Sequence, residues 1–338
     1  MAKWYNSLGE QSDTVISTRI RLARNISGIP FPGKMNSEQI SQVNALVKDA
    51  VCSDKNLKEN FKFIEMDTLP DITKLSLMEK HVISPGFCKN SKGKMLILSN
   101  DESVSIMLCE EDHIRIQVMC AGLALDEGYK IADKIDDVLD KRLNFAFNDR
   151  LGYLTECPTN LGTGLRASVM LHLPALEAGN SVTKLATTVG KIGLTIRGTY
   201  GEGSKAMGAL YQLSNQVTLG ISELSAIENL KSITLQAINQ EKAARESIDR
   251  IGIEDATWRA FGTLKYARSI SSDEFMNLIS KVRLGISMGI LKGVTLEDVE
   301  TLIIESGPAT IQANSGTPLE AEERDIQRAK IIRERLNK

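Results

Sequence analysis

Tyr153-Leu154-Thr155-Glu156-Cys157-Pro158-Thr159-Asn160-Leu161-Gly162-Thr163-Gly164-Leu165-Arg166-Ala167-Ser168-Val169-Met170-Leu171-His172-Leu173 changes character twice. It opens as an apolar strand, breaks at Cys157-Pro158, crosses a Gly-Thr-Gly loop and returns to strand at Leu165. Glycines let a backbone approach a ligand closely and take up positive φ. Consecutive N–H groups in such turns form anion-binding concavities, and Arg166 adds a planar fork suited to phosphate. Taken alone, the Gly-Thr-Gly turn reads as a hairpin connection. The rest of the chain decides between the two.

Upstream, Thr14 to Arg24 alternates, placing Arg19 and Arg21 on one face of an extended segment and Ile20 and Leu22 on the other. Two guanidiniums on one face repel and call for an anion opposite, although a lone Arg-x-Arg reads as a solvated strand face. Residues 37–52 read as an amphipathic helix capped by Ser37. Phe61 to Met66 is a strand and Ile72 to Glu79 a short helix, which leaves His81 at a helix-to-strand junction. Met95–Ser99, Ser103–Leu108 and His113–Met119 form an antiparallel meander, with His113, Arg115 and Gln117 on one face of its third strand. Glu110-Glu111-Asp112 fills the corner before that strand. Adjacent carboxylates repel and need cations nearby to stay ionised together.

Downstream, Glu127 to Leu143 and Ser181 to Ile192 read as helices and Leu194 to Arg197 as a strand. The loop Gly198 to Lys205 nearly spells a phosphate-binding P-loop. Its last two residues are Ser204-Lys205, in reversed order, and Met207 to Ser214 reads as a strand. A P-loop needs a helix N-terminus there, so that reading is rejected. From Ile221 to Arg250 the pattern is helical, as it is over Glu254–Ala267, Ser272–Leu284 and Leu296–Ile304. The expected division is a catalytic domain over 1–240 and an all-helical C-terminal domain over 241–338. Near the end, Glu322 to Ala329 puts Arg324 and Arg328 at i and i+4 on a helix, with Asp325 three residues before Arg328. Alone, this is a charged helix face.

Cys157 to Ser168 resembles the signature of the phosphagen (guanidino) kinases, and most closely their bacterial branch, the McsB-type protein arginine kinases. The resemblance covers about residues 14–215 and extends to the C-terminal motif. It implies an α+β fold, a phosphagen-kinase-like antiparallel sheet flanked by helices with a helical C-terminal domain after it. In that family a Ser-Thr-Arg-x-Arg strand binds nucleotide phosphates, matched here by Ser17, Thr18, Arg19, Ile20 and Arg21. Arg115, the run Arg166, Ala167, Ser168, Val169 and Met170, and the run Arg197, Gly198, Thr199, Tyr200 and Gly201 complete the implied nucleotide site, with His81 near the adenine. The second glutamate of the family's acidic corner acts on the guanidinium, which makes Glu111 the expected base. Glu202 is implied as a second clamp on the guanidinium and Cys157 as an electrostatic neighbour. Cys109 stands where the family has asparagine. The Arg-Asp-x-x-Arg-Ala motif implies an allosteric phosphoarginine site at Arg324, Asp325 and Arg328, and it selects the McsB branch.

Together these parts imply ATP and Mg²⁺ as cofactors, with in-line positioning and charge neutralisation by arginines dominating catalysis. A guanidinium is protonated at neutral pH, with a pKa above ~12, so a carboxylate must orient it and take a proton. The favoured activity is phosphorylation of protein arginine in a bacterial stress response. A kinase for free arginine and a non-catalytic phosphoarginine adaptor are the alternatives. The resemblance implies as partners a zinc-binding activator protein, a heat-shock transcriptional repressor and a Clp unfoldase. It also implies a homodimer or larger assembly, and the absence of the family's small helical N-terminal domain implies an open site.

Composition is compatible with these readings. The 338 residues carry 41 basic and 43 acidic side chains, so bulk charge gives no reason to expect nucleic acid or membrane as a partner. No apolar run reaches the ~18 residues of a membrane span. The five cysteines follow no metal or disulfide spacing, consistent with reduced thiols and a cytoplasmic location.

Overall fold

A computed structural model describes residues 3–198 and 206–337. The chain begins with strand β1 (Val15–Arg24), helices α1 (Ser37–Cys52) and α2 (Lys55–Asn60), strand β2 (Phe61–Glu65), and helices α3 (Asp71–Glu79) and α4 (Pro85–Lys89). The meander follows as β3 (Met95–Ser99), β4 (Val104–Leu108) and β5 (Ile114–Ala121), then helix α5 (Leu125–Asp140). A two-stranded ribbon, β6 (Phe147–Asn148) and β7 (Gly152–Tyr153), precedes β8 (Leu165–His172), α6 (Pro174–Ala178), α7 (Val182–Gly190), β9 (Leu194–Gly198) and β10 (Leu210–Asn215). The remainder is helical: α8 (Glu223–Glu246), α9 (Arg250–Tyr266), α10 (Ser272–Ser287), α11 (Leu296–Glu305), α12 (Pro308–Ser315) and α13 (Ala321–Leu336).

Eight strands form one antiparallel sheet in the order β2-β3-β4-β5-β1-β8-β10-β9. β1 is central because its apolar alternation supplies one fully buried face: Ile20 and Leu22 are at most 1 % exposed. They join Ile116, Val118, Ala167 and Val169 in a core closed by α1, α5, α7 and α8, through Val43, Ile135, Val189 and Ile227 among others. Burying each such aliphatic chain contributes about 1.5–3 kcal/mol. On the opposite face, Leu96, Leu98 and Met107 pack with Met66, Val82 and Phe87 beneath the α3–α4 segment. The rest of that face is polar, and it carries the chemistry.

Several sequence boundaries shift for local reasons. Asn36, not Ser37, caps α1, because its side chain accepts from Gln39 N while Gln39 reciprocates at the cap, a complete capping box. Residue 66 leaves β2 for a short 3-10 turn, and α5 starts at Leu125 rather than Glu127. Ser181 precedes α7 without a side-chain cap bond; its hydroxyl donates to Gly179 O at 3.3 Å. The expected apolar strand at Tyr153 is only the two-residue β7, since Cys157-Pro158 and the glycines turn the chain before a longer ladder forms. β10 shows a strand, not a helix, in the segment expected to be a strand, beginning at Leu210 rather than Met207.

α8 runs through residue 240 without interruption, and its Ala237 and Ile238 belong to the sheet core. A second core begins at Ala260 and joins α9, α10, α11 and α13 through Leu264, Phe275, Ile279, Leu302 and Ile332. Buried polar contacts hold the two units together. Arg283 on α10 donates to Ser12 O at 2.7 Å and pairs with Glu300 at 3.3 Å. Asp13 O accepts from Arg245 on α8 and from Arg283 on α10, each at 3.3 Å. His172 Nε2 lies 2.8 Å from Ser280 Oγ.

Candidate active site

The ladder registers assemble the arginines. Arg21 stands opposite Gln117 of β5 and Arg166 of β8; Arg19 stands opposite Met119 and Ser168; Ala23 stands opposite Arg115. Directly opposed residues of an antiparallel pair share a face. That face continues through Met170 and Gln212 to Arg197 on β9. Five arginines separated by up to 178 positions in sequence therefore project from one surface, with Ser17 and Ser168 beside them.

Four members of the expected nucleotide-binding runs point the other way. Thr18, Ile20, Ala167 and Val169 are fully buried on the core face. Thr18 Oγ1 donates to Gly122 O at 2.7 Å and accepts from Ala124 N at 3.0 Å, pinning the turn into α5. The strand period of two allows these residues only main-chain roles at the site. Gly198 ends β9, while Thr199, Tyr200, Gly201 and Glu202 lie outside the described residues.

A cavity of about 210 Å³ opens on this surface, lined by Arg21, Glu111, Arg115, Thr159, Asn160, Gly164, Arg166 and Arg197, with Leu22 and Ala23 at its edge. Arg115 divides its two guanidinium nitrogens between the acidic corner: Nη1 donates to Glu110, and Nη2 donates to Glu111 Oε2 at 3.0 Å. Glu110 is further bound by the Ser84 hydroxyl and is only 10 % exposed. Glu111, at 37 %, is the accessible carboxylate of the pair. Asp112 turns away into the protein, accepting from Asn25 Nδ2 at 2.7 Å and Glu156 N at 2.8 Å. Burial raises its pKa despite those bonds.

His113, expected to share a face with Arg115, is buried at the corner instead. Its Nδ1 accepts from Ile26 N at 2.9 Å and its Nε2 lies 2.7 Å from Pro30 O. That pairing fits the neutral ring with the proton on Nε2, and burial lowers its pKa. Cys109 N donates to His113 O at 2.9 Å, with Cys109 at φ 59°, a conformation asparagine enters more readily than cysteine. Burial pushes the Cys109 thiol up to about 12.

The Gly-Thr-Gly loop serves geometry rather than anion binding through its own N–H groups. Gly162 N donates to Tyr153 O, Thr163 N to Thr218 O, Gly164 N to Asn160 O, and Leu165 N to Thr163 Oγ1. The glycines are required because Gly162 has φ 110° and a Cβ there would lie 2.2 Å from Thr218 O; at Gly164, with φ 64°, it would lie 2.6 Å from Ala23 O. Thr218 Oγ1 bonds Leu161 O at 2.7 Å, fixing the loop from the segment after β10. Cys157 Sγ lies 3.1 Å from Thr159 Oγ1, and Arg166 Nη2 reaches the same hydroxyl at 3.5 Å. The thiol and the Arg166 guanidinium thus meet at one hydroxyl, at the margin of the arginine face.

The electrostatics are those of a site built for an anion. Burial first, then Arg115 and Arg166, bring Arg19 down to about 10. Burial followed by Arg19, Arg115 and Arg166 pushes Arg21 well below the ordinary arginine range, with Glu110 opposing. Burial and Arg197 lower Arg166, opposed by Cys157 and Glu111. Arg21 Nε is buried with no hydrogen-bond partner among the described residues. A polyphosphate supplies both the missing charge and the missing acceptor, so the donor set fits a nucleotide. His81, at φ 59°, stands near Arg19 and is held down to about 4, chiefly by burial and then by that charge.

At the C-terminus, Arg324 and Arg328 relieve their mutual repulsion by turning to different acceptors. Arg324 Nη1 donates to Leu319 O at 2.7 Å. Arg328 is 1 % exposed; it pairs with Asp325, and donates from Nε to Ser306 O at 2.9 Å and from Nη1 to Ile270 O at 2.7 Å. Arg324 and Asp325 remain half-buried.

Residues outside the sequence reading complete the frame. Arg24 donates twice to Asp136, 112 positions away, at 2.7 and 2.9 Å, and its guanidinium lies 3.5 Å from the Tyr153 ring centre. Asn215 accepts from Ala167 N at 2.8 Å and donates to Leu165 O at 3.0 Å, continuing the ladder with a side chain. Alternation after Leu210 would have placed Gln212 and Ser214 on the arginine face; nothing local marked Asp136 or Asn215.

Residues 42–244 match the family model of the ATP:guanido phosphotransferase C-terminal catalytic domain, and residues 250–338 that of the protein-arginine kinase McsB C-terminal domain. The protein-arginine kinase of Halothermothrix orenii is 45 % identical over 340 residues, spanning 100 % of this chain and 97 % of that one. That of Desulforamulus reducens is 46 % identical over 342 residues, spanning 99 % and 96 %. Among solved structures, lombricine kinase superposes with a TM-score of 0.62 at 24 % identity over 74 % of this chain and 73 % of its own, a likeness of fold. The duplicated taurocyamine kinase from Schistosoma mansoni with bound transition state analog components gives 0.62 at 25 %, over 78 % and 41 %. With one family model over residues 42–244, another over its terminal helices and full-length relatives above 40 % identity, the chain belongs to the protein-arginine kinases of the ATP:guanido phosphotransferase family.

Proposed function

We propose that this protein transfers the γ-phosphoryl group of ATP to arginine side chains of other proteins. The observation that carries the reading is the convergence of Arg21, Arg115, Arg166 and Arg197 on one cavity with Glu111 in its wall. Arg19, Arg21, Arg115, Arg166 and Arg197 would bind the phosphates and hold the transferring group in line. Glu111, oriented by Arg115, would accept a guanidinium proton as the N–P bond forms. Loss of that proton gives the nitrogen the lone pair it lacks when protonated. Glu110 keeps Arg115 fixed, since Ser84 and Arg115 occupy both its oxygens. Cys157 would lie beside the guanidinium and tune its charge, without a covalent step. Glu202 is assigned by sequence resemblance as the second clamp.

Mg²⁺, when bound with the nucleotide, neutralises phosphate charge and orients the γ-phosphoryl group. Among the described residues no group of three or more His, Cys, Asp or Glu is placed to hold a metal, so the ion would be carried mainly by the phosphates. Arg324 and Asp325 would meet a phosphoarginine at the C-terminal motif, with Arg328 fixing Asp325 from beneath. Cytoplasmic action in a stress response, assembly as a homodimer or larger, and work with a zinc-binding activator, a heat-shock repressor and a Clp unfoldase belong to the same reading. No helix among the described residues is long and apolar enough to cross a membrane.

The test is incubation with Mg-ATP and an unfolded protein, with phosphorylated residues mapped by mass spectrometry under non-acidic conditions. Phosphoarginine on the protein, absent with Glu111→Gln, supports the proposal. Phosphorylation of free arginine alone would replace it with a small-molecule kinase, and no transfer to either acceptor would leave a phosphoarginine adaptor.

A further inference from the structure

Helix α12 begins at Pro308, and its N-cap residue, Gly307, has no side chain to cap it. The cap comes from the catalytic unit instead. Ala309 N donates to Glu79 Oε1 at 2.8 Å, while Thr310 N and Thr310 Oγ1 donate to Glu79 Oε2 at 2.8 and 3.0 Å. One carboxylate thus satisfies the first turn of a helix 230 positions away, where its charge also meets the positive end of the helix. The buried Ser76 hydroxyl adds a bond to Thr310 Oγ1 at 3.2 Å.

Glu79 is also the last residue of α3, and the chain reaches His81 two residues later. His81 takes the left-handed conformation there, closing the helix with His81 N donating to Met78 O at 3.0 Å. Its carbonyl accepts from Gln117 Nε2 at 2.8 Å, and Gln117 lies on the arginine face. Its ring stands near Arg19. A three-residue segment therefore grips α12 at one end and the arginine face at the other. The same region is tied to the C-terminal motif: Ser306 O, just before α12, accepts from Arg328 Nε at 2.9 Å, and Gln312 Oε1 within the helix accepts from Leu319 N at 2.9 Å.

We propose that Glu79 is a positioning residue for nucleotide binding: by clamping the first turn of α12, it fixes His81 against the arginine face and makes the helical unit part of the nucleotide site. This rests on the reading that the arginine face binds ATP. The clamp needs two acceptor oxygens. Glu79→Gln keeps the shape but turns an amino group toward a helix N–H, whereas Glu79→Asp keeps both acceptors. Gly307→Ala attacks the contact from the other side, because its Cβ would lie 2.4 Å from Glu79 Oε2.

The experiment is arginine phosphorylation of an unfolded protein substrate at varied ATP and at varied substrate, with thermal melting of each variant. Glu79→Gln and Gly307→Ala are expected to raise KM for ATP about tenfold, the equivalent of 1.4 kcal/mol, while kcat and the protein-substrate KM stay within about twofold. Glu79→Asp is expected to restore most of the ATP affinity. Thr310→Val, which removes one of the three bonds to Glu79 together with the Ser76 contact, gives a smaller shift in the same direction and serves if Glu79→Gln does not fold. An unchanged KM for ATP in variants that melt earlier would overturn the positioning role, as would equal losses in kcat and both KM values. Failure of the wild-type protein to bind ATP in a calorimetric titration would overturn the functional reading itself, and the inference with it.

Discussion

Replacing Arg19 with glutamine is expected to stabilise the nucleotide-free protein while weakening ATP binding. Arg19 is held at about 10, by burial first and by Arg115 and Arg166 next, against an ordinary arginine value above 12. At about 1.4 kcal/mol per tenfold in proton affinity, that gap is on the order of 3 kcal/mol of unfavourable charging. The side chain keeps partial contact with water, which screens the penalty to roughly 1–2 kcal/mol. The penalty is fully present at neutral pH and is relieved only above pH ~10, where the folded protein would release the proton. For a unit of 150–250 residues each kcal/mol moves Tm by roughly 2–4 °C, so the variant should melt about 2–8 °C higher without nucleotide. ATP at a hundred times its Kd stabilises the wild type by about 2.7 kcal/mol, and the variant should gain less. Differential scanning calorimetry with and without Mg-ATP measures both. A variant that melts below wild type without nucleotide, or gains as much from ATP, would refute the idea that these arginines are held in mutual strain for a polyphosphate.

Glu111→Gln should lower kcat by roughly 10²–10⁴-fold, the range for a positioned base. Its half-exposed bond to Arg115 contributes at most about 1 kcal/mol to stability, so a large fall in Tm would indicate a structural role instead. Asp136→Ala leaves the Arg24 guanidinium buried without its carboxylate, and a urea titration should show a loss of about 3–5 kcal/mol; a loss below 1 kcal/mol would contradict the pairing. His81 stays neutral in the fold down to pH about 4, whereas an unfolded histidine takes up a proton below about 6.5. Stability from this group is therefore complete above pH 6.5 and lost as pH falls toward 4. His81→Asn, which tolerates the left-handed turn, should flatten that slope, and parallel wild-type and variant curves from pH 4 to 7 would rule the assignment out.

The sequence pattern revealed the arginine face wherever strand alternation could carry the information. Arg19 and Arg21 share a surface because Ile20 and Leu22 fill the core, and the pairing of β1 with β5 and β8 brings Arg115 and Arg166 alongside. The same alternation excludes Thr18, Ile20, Ala167 and Val169 as side-chain ligands, a consequence hidden when a motif is read as a continuous run. The glycine loop turns its N–H groups onto Tyr153 O, Asn160 O and Thr218 O, and the last of these comes from a distant segment beyond β10 that no local pattern announces. Arg24 with Asp136, and Glu79 with α12, were illegible for the same reason. Each joins residues more than 100 positions apart with no local pattern to mark them.

The central place of β1 has a consequence for how the protein is made. Its ladder partners span residues 114–121 and 165–171, so β1 leaves the ribosome well before either neighbour exists. Until β8 has been synthesised, β1 has no complete set of neighbours, and its apolar side chains and two arginines are open to whatever is nearby. Such non-local pairing slows folding. It also means that a chain stalled before β9 cannot assemble the full set of phosphate-facing arginines, because those of β1, β5, β8 and β9 come together only when the sheet closes around β1.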